Sequence, residues 1–276
     1  MKDSKSLEIS CYVLGLGAFG VFFRWMQLQL AYNDNDLPDS SAWNVLVPLL
    51  ILAAAYVFIR FIKKFRKERV TIPVDFFEAL KNKGKLYTFC RWAIGVIMVA
   101  GSALLLMTCE TDTNALFLRI VAVLGILTGI SFPLLLTVAN KPHVTGGSTI
   151  TLLSLFPILL HAVWLLTCYK QNSINPVTWD YVVEIVTVIV SLLAAFRLAG
   201  FAYGVPDAGK SMFFCMLGAM LSVMSVADGR NMGQQVMLIA SALMMTMYNW
   251  ILVANRRYRD GTPVEEEADE AGFEKL

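Results

Sequence analysis

Residues 115–139 read ALFLRIVAVLGILTGISFPLLLTVA, and this stretch decides the fold class of the chain. Its only charged residue is Arg119, near the start. About 20 apolar residues in a helix are enough to cross the roughly 30 Å hydrocarbon layer of a bilayer. A surface helix of a soluble protein would instead need a polar face toward water. The stretch therefore predicts a transmembrane helix.

The same pattern recurs along the whole chain of 276 residues, of which 57% are hydrophobic and 16% charged, with a mean hydropathy of +0.61. Soluble domains carry about 25% charged residues. The composition excludes a soluble single-domain core, a disordered chain and a nucleic-acid binder with a large basic face. The apolar blocks are too long for the roughly ten-residue alternating strands of a membrane barrel, so we predict an all-α, polytopic transmembrane bundle of about eight spans. The predicted spans are residues 10–31, 43–62, 87–109, 115–139, 150–168, 179–203, 212–227 and 235–254.

Lysine and arginine predict the orientation, because cytoplasmic loops of membrane proteins carry an excess of positive charge. With the N-terminus inside, the inner segments hold 17 of the 23 basic residues. The outer loops hold only Lys170 and Arg230. This split predicts that both the N-terminus and the C-terminus are cytoplasmic.

The chain divides into a transmembrane domain over residues 1–254 and a disordered cytoplasmic tail over residues 255–276. The tail carries an acidic run that is typical of solvated segments. Within the transmembrane domain, a cytoplasmic basic loop at 60–86 is expected to bind anionic lipid headgroups. Arg91 and Arg197 lie one to two turns from the cytoplasm, and they are expected to reach the same headgroups.

Ionisable groups inside spans are costly in lipid and point to function by default. Arg24, Arg119 and Glu184 lie near the outer ends of spans one, four and six. If these spans adjoin, the three residues form an outward-facing pocket. Glu184 would then neutralise one arginine and leave the other for an anionic solute. The alternative is that the long side chains reach the outer headgroups or form structural pairs.

Two prolines interrupt the spans. Pro133 in span four and Pro157 in span five each remove a helical hydrogen bond and favour a kink. His161 follows Pro157 by four residues, so the two share a helix face near mid-membrane. This arrangement suits a gate or a proton relay. A histidine satisfied by a neighbouring helix is the alternative.

The residues GVPDAGKS at 204–211 match the phosphate-binding pattern G-x-x-x-x-G-K-[ST] letter for letter. The pattern binds phosphate only when a strand precedes it and a helix follows. Here it falls between two spans, and Pro206 lacks the amide hydrogen that such a loop offers. We therefore predict a tight cytoplasmic turn.

Catalytic and metal-binding patterns are missing from the sequence. The two histidines, His143 and His161, form no metal-binding pair, and the five cysteines include no C-x-x-C motif. The sequence therefore gives no indication of a disulfide framework, a metal site, another cofactor or an acid–base active site, and we expect no enzymatic activity.

Residues 22–25, FFRW, and 196–203, FRLAGFAY, together with the turn at 227–229, ADG, carry a resemblance. The chain resembles uncharacterised multi-pass membrane proteins of anaerobic Gram-positive bacteria. The resemblance implies a bacterial cytoplasmic membrane and brings no known activity.

Two functions from different classes follow. The favoured one is a transporter or permease-like protein for a small solute, preferably one with an anionic group. The alternative is a non-catalytic membrane subunit or scaffold that docks a cytosolic or lipid partner. Transport predicts a water-accessible cavity that reaches Glu184 or His161, whereas a scaffold predicts a filled bundle.

Overall fold

The computed structural model describes residues 4–30, 42–67, 70–109, 115–141, 147–172 and 178–258. Over these ranges the chain is almost entirely helical, with one short two-stranded sheet. The helices are α1 (Ser4–Leu30), α2 (Trp43–Lys67), α3 (Phe76–Ala79), α4 (Lys85–Thr108), α5 (Ala115–Val138), α6 (Gly147–Asn172), α7 (Thr178–Ala202), α8 (Ala208–Met224) and α9 (Met232–Ala254). The strands are β1 (Val70–Thr71) and β2 (Arg257–Tyr258), which pair antiparallel.

Eight of the described helices are long and apolar enough to cross a membrane. Each predicted span falls on one of them, which confirms the all-α, multi-pass fold. The shortest prediction, residues 212–227, corresponds to α8 and the 3-10 turn Ser225–Asp228 that follows it. Together these give a candidate span of 21 residues, about 30 Å at 1.5 Å per residue. α2 continues to Lys67, so the first part of the 60–86 segment is helical.

The six helices from α4 to α9 form a closed ring. Each contacts the next one along the chain, and α4 contacts α9 to complete the circuit. α1 packs on α8 and α9 outside the ring, and α2 packs on α1 and α8. α9 is the most deeply buried of the eight spans. The interior of the ring is therefore where a site enclosed by the bundle would lie.

Small residues allow α4 to approach both of its neighbours closely. A Cβ atom on Gly95 of α4 would lie 2.5 Å from the carbonyl oxygen of Gly129 on α5. A Cβ atom on Gly233 of α9 would lie 2.5 Å from the backbone nitrogen of Leu105 on α4. Close backbone approach at glycine is a common way for membrane helices to associate. These contacts fix α9 against α4.

The two ends of the bundle differ in their connections. We call the end at which α8 finishes and α9 begins the acidic end, because Asp228 lies there. Thr108 Oγ1 at the end of α4 donates to Asn231 Oδ1 at this end (2.9 Å). We call the opposite end, where β1 and β2 pair after α2 and α9, the basic end.

At the basic end, the segment after β1 is bound to the end of α9. Asn255 Nδ2 donates to the carbonyl oxygens of Ala79 (2.9 Å) and Lys81 (2.8 Å). Residues 255–258 of the predicted tail are therefore ordered by these contacts and by β2, and the tail from residue 259 onward lies outside the described residues. The expectation that Arg91 reaches lipid is wrong, because Arg91 is buried and donates to Asn82 Oδ1 (2.9 Å).

Candidate functional site

Four charged side chains meet at the acidic end, and we call them the four-charge cluster. Arg24 comes from α1, Glu184 from α7, and Asp228 and Arg230 from the turn between α8 and α9. Arg24 Nε lies 2.6 Å from Asp228 Oδ1, and Arg230 Nη2 lies 3.5 Å from Asp228 Oδ2. Arg230 also pairs directly with Glu184. The four side chains are no more than 13% exposed.

The turn before α9 places two of these charges. α8 ends in the 3-10 turn that finishes at Asp228, and Gly229 then adopts a left-handed conformation with φ of 61°. Such a φ favours glycine, since it lacks a Cβ atom. Ser225 Oγ donates to Asp228 Oδ2 (2.7 Å) and fixes the carboxylate. Asn231 Oδ1 caps α9 by accepting the backbone N–H of Gly233 (2.9 Å), and Asp228 and Arg230 flank the turn at Gly229.

Neutral polar groups extend the cluster to two more helices. Arg24 Nη1 donates to Gln27 Oε1 (2.7 Å), and Gln27 Nε2 donates to Asn44 Oδ1 on α2 (2.9 Å). On the other side, the Cys168 thiol of α6 lies beside Glu184 and interacts with it electrostatically. The cluster thus ties together the helices outside the ring and the helices that form it.

The cluster is electrically balanced, with two guanidinium groups and two carboxylates. Burial alone would lower the pKa of Arg230, but the charges of Glu184 and Asp228 outweigh it and raise the pKa above its ordinary value. Removing one partner of a buried ion pair costs about 3–5 kcal/mol, because the other charge is left uncompensated. Loss of any one of the four charges would therefore leave another buried charge uncompensated.

The structure brings together two of the three predicted pocket residues. Arg24 and Glu184 are joined through Asp228 and Arg230. Arg119 is exposed on the surface of α5, and no ion pair found among the described residues includes it. The expected three-residue pocket therefore does not form, and a binding role for these residues stays a prediction.

Asp228 and Arg230 are the members of the cluster that sequence reasoning missed. A signal was present, because Arg230 is one of only two basic residues in the predicted outer loops. It lies two residues after a carboxylate, in a connection too short to extend far from the membrane. An arginine that departs from the positive-inside pattern needs a partner nearby.

The predicted gate residues lie inside the bundle. Pro133 of α5 and Pro157 of α6 are buried helix-interior prolines. His161 is 2% exposed, and its Nδ1 lies 2.7 Å from the carbonyl oxygen of Pro157. A carbonyl can only accept, so Nδ1 donates, and the shared face predicted for the two residues is confirmed. His161 Nε2 has no hydrogen-bond partner among the described residues.

Other buried polar atoms of the ring also lack partners. Gln234 and Ser241 are seven residues apart on α9, so they share one face, and Tyr248 continues that face a further seven residues on. We call Gln234, Ser241 and Tyr248 the polar row. An unpaired buried polar group costs about 1–3 kcal/mol. Within the described chain, the ring atoms without a partner include Thr128 Oγ1, His161 Nε2, Trp164 Nε1, Gln234 Nε2 and Ser241 Oγ.

A small cavity meets the polar row at Tyr248. It has a volume of about 20 Å³, and Ser154, Pro157 and Ser191 also line it. A cavity needs about 10–15 Å³ of such volume to hold one water molecule. Neither Glu184 nor His161 lines this cavity, so it does not provide the water-accessible route to those residues that transport predicts.

A larger cavity of about 520 Å³ opens at the basic end, and we call it the basic-end cavity. The predicted turn at 204–211 forms part of its wall. Asp207 caps α8 by accepting the backbone N–H of Lys210 (3.1 Å), and its carboxylate pairs with Lys210 Nζ (2.8 Å). The helix α7 precedes this segment in place of a strand, and the turn ends at Asp207 because α8 begins at Ala208.

No protein-family model, curated protein or solved structure matches the chain. Within the part of the chain that the structure describes, no three His, Cys, Asp or Glu side chains are placed to hold a metal ion. The function is therefore inferred from the four-charge cluster, the polar row and the basic-end cavity.

Proposed function

We propose that this multi-pass membrane protein moves a small polar solute through the interior of its six-helix ring. The observation that carries the proposal is the set of buried polar atoms without partners on α5, α6 and α9. Several such groups inside an apolar bundle cost too much to be retained for packing alone. A solute that forms hydrogen bonds in passing offers partners to all of them.

The solute class follows from the pairing of the charges. The sequence favoured an anionic solute, because Glu184 was expected to leave one arginine available. In the structure each arginine of the four-charge cluster contacts a carboxylate. The polar row and its neighbours offer hydroxyl, amide, indole and imidazole groups. We therefore propose an uncharged solute that both donates and accepts hydrogen bonds.

The two ends then have separate roles in the proposal. The four-charge cluster closes the acidic end until the pairs exchange or separate. The helices α5 and α6, which contain Pro133 and Pro157, supply the movement. The charge split of the sequence supports a cytoplasmic location for the basic end. The resemblance to membrane proteins of Gram-positive bacteria supports a bacterial cytoplasmic membrane as the location of the protein.

The test is entry of an uncharged solute into liposomes that contain the purified full chain. Entry is measured as osmotic swelling, with urea and glycerol as separate probes. Gln234→Leu removes a polar group of the polar row and is expected to slow entry about two- to tenfold. Gln235→Leu is the matched control, because it makes the same change at the next, half-buried position. It is expected to leave the rate unchanged.

Two results would contradict transport. One is swelling no faster than that of empty liposomes with every probe. The other is equal slowing by Gln234→Leu and Gln235→Leu, because the effect would then not depend on the polar row. The melting temperatures of the two variants distinguish slower passage from a loss of folded protein.

A scaffold that docks an acidic partner is the second candidate. The small cavity beside the polar row, which reaches neither Glu184 nor His161, favours it, and so does one further observation. The last turns of α2 expose a cluster of cations at the basic end. The cluster consists of Arg60, Lys63, Lys64 and Lys67. Labelled polyglutamate is the probe, offered to the protein in nanodiscs of zwitterionic lipid. Docking predicts salt-sensitive binding that is lost when all four residues become glutamine, whereas no binding by the parent contradicts it.

A further inference from the structure

The basic-end cavity has the dimensions of a ligand site. Its volume of about 520 Å³ lies within the roughly 300–1,000 Å³ typical of small-molecule pockets. Its wall is built from the ends of α2, α7, α8 and α9, from β1, and from the turn at 204–211. It is separate from the polar row and from the four-charge cluster at the other end.

Cations outnumber carboxylates on the wall of the basic-end cavity. Arg197 of α7 and Arg256, just after α9, both line it, and Asp207 is its acidic lining residue. The carboxylate of Asp207 is already bound by the backbone N–H and the ammonium group of Lys210. Arg197 Nε is buried and has no hydrogen-bond partner among the described residues. The wall therefore favours an anionic group.

The rest of the lining is apolar. Ile62 and Phe65 of α2 face Met212 of α8 across the cavity. Val74 and Val205 also line it, and they are 71% and 78% exposed. Exposed valines beside half-buried arginines suit a ligand with an anionic head and an apolar tail. A phospholipid has this chemistry, and its headgroup lies at the depth of helix ends.

We propose that the basic-end cavity binds the phosphate of an anionic phospholipid headgroup from the leaflet at that end. Arg197 and Arg256 donate to the phosphate oxygens, since guanidinium groups match phosphate geometry. The valines at the rim contact the start of the acyl chains. The proposal does not depend on solute transport, because no residue of the polar row takes part.

The experiment is native mass spectrometry of the full chain in detergent, after incubation with equal amounts of phosphatidylglycerol and phosphatidylcholine. We expect a single phosphatidylglycerol to stay bound in preference to phosphatidylcholine. Arg197→Gln and Arg256→Gln are each expected to lower this retention at least about tenfold, as loss of a charge-assisted hydrogen bond does. Arg257→Gln is the matched control, because it removes an arginine of the same end that pairs with Glu78 and does not line this cavity.

Several outcomes would overturn the assignment. Equal retention of the two lipids, or an equal effect of Arg257→Gln, would contradict selective binding of an anionic headgroup in the cavity. A rise in melting temperature with inorganic phosphate, without retention of phosphatidylglycerol, would assign the phosphate to a soluble ligand. Displacement of the lipid by polyglutamate would assign the cavity to an acidic peptide. If Arg197→Gln does not fold, Arg256→Gln decides the result.

Discussion

The charged side chains at the two ends of the bundle differ in how deeply they are buried. At the acidic end, two arginines and two carboxylates are buried and contact one another. At the basic end, the ion pair between Asp207 and Lys210 is partly exposed, and two further arginines line an open cavity. The contrast follows from solvation. A charge removed from water must be paired, whereas a charge at the interface need not be.

The comparison assigns a structural role to the charges of the acidic end and a ligand-binding role to those of the basic end. A balanced, buried network holds helices together and leaves no net charge to attract a ligand. An unbalanced wall beside a cavity attracts a ligand and contributes little to the fold. We therefore expect substitutions at the acidic end to lower stability, and those at the basic end to change binding.

The largest expected difference in stability is between two variants with the same Asp→Asn substitution, one at each end of the bundle. Asp228→Asn removes the carboxylate between Arg24 and Arg230, and it should destabilise the protein by about 3–5 kcal/mol. For a chain of this size, that corresponds to a fall in melting temperature of roughly 10 °C. Asp207→Asn at the basic end should cost less than about 1 kcal/mol, because the pair is partly exposed and asparagine also caps helices.

Melting of both purified variants in detergent measures this difference. Equal falls in the two melting temperatures would show that the four-charge cluster is no more important to the fold than a surface pair.

A smaller effect is expected from adding one methyl group at each end. Gly233→Ala places a Cβ atom 2.5 Å from the backbone nitrogen of Leu105, so α9 and α4 must move apart. Overpacking of this kind costs about 1–3 kcal/mol. A Cβ atom at Gly147, at the start of α6, would have no neighbouring atom within 4 Å. Gly147→Ala should therefore leave the stability of the protein unchanged or raise it slightly. Thermal melting of the two variants checks the prediction, and a neutral Gly233→Ala would contradict close packing at the acidic end.

The smallest expected effect is a dependence on pH at the basic end. Burial alone would raise the pKa of Asp207, but its hydrogen bonds with Lys210 and the charges of Lys210 and Arg197 lower it below the ordinary value of 3.8. A lowered pKa stabilises the fold above that ordinary value, and the contribution is lost as the pH falls through the folded-state pKa. The melting difference between the parent and Asp207→Asn should therefore shrink when the pH is taken from neutral to below 3.8. A difference that grows on acidification would contradict this sign.

The spans were predictable because each is an apolar run of the length that a bilayer requires. The participation of Arg24 and Glu184 in a polar cluster was also predictable, since charges inside spans need partners. The partners that Arg24 and Glu184 have in the structure were not predictable. Asp228 and Arg230 reach the cluster only because the turn around Gly229 directs both side chains back to the bundle, and a sequence does not show that direction.

Arg119 shows that the depth of a charged residue in a membrane span does not by itself predict a binding site. Its distance from the end of span four suggested a pocket, but its direction around the helix decides the outcome. Gly125 and Gly129 are buried against neighbouring helices and mark the packed face of α5. Arg119 lies about 120° away from Gly125 around the helix, at 3.6 residues per turn. The positions of the small residues would have excluded it.

Access of water to the two ends of α8 tests the central claim most directly. Met212→Cys and Met224→Cys replace the same buried residue type on one helix, at the basic-end cavity and beside the acidic end. Each is made in a chain whose five native cysteines are replaced, and each is treated with a charged, water-soluble thiol reagent. The account predicts that Met212→Cys, which lines the cavity, is labelled faster than Met224→Cys. Equal labelling, or faster labelling of Met224→Cys, would contradict a closed acidic end and an open basic end.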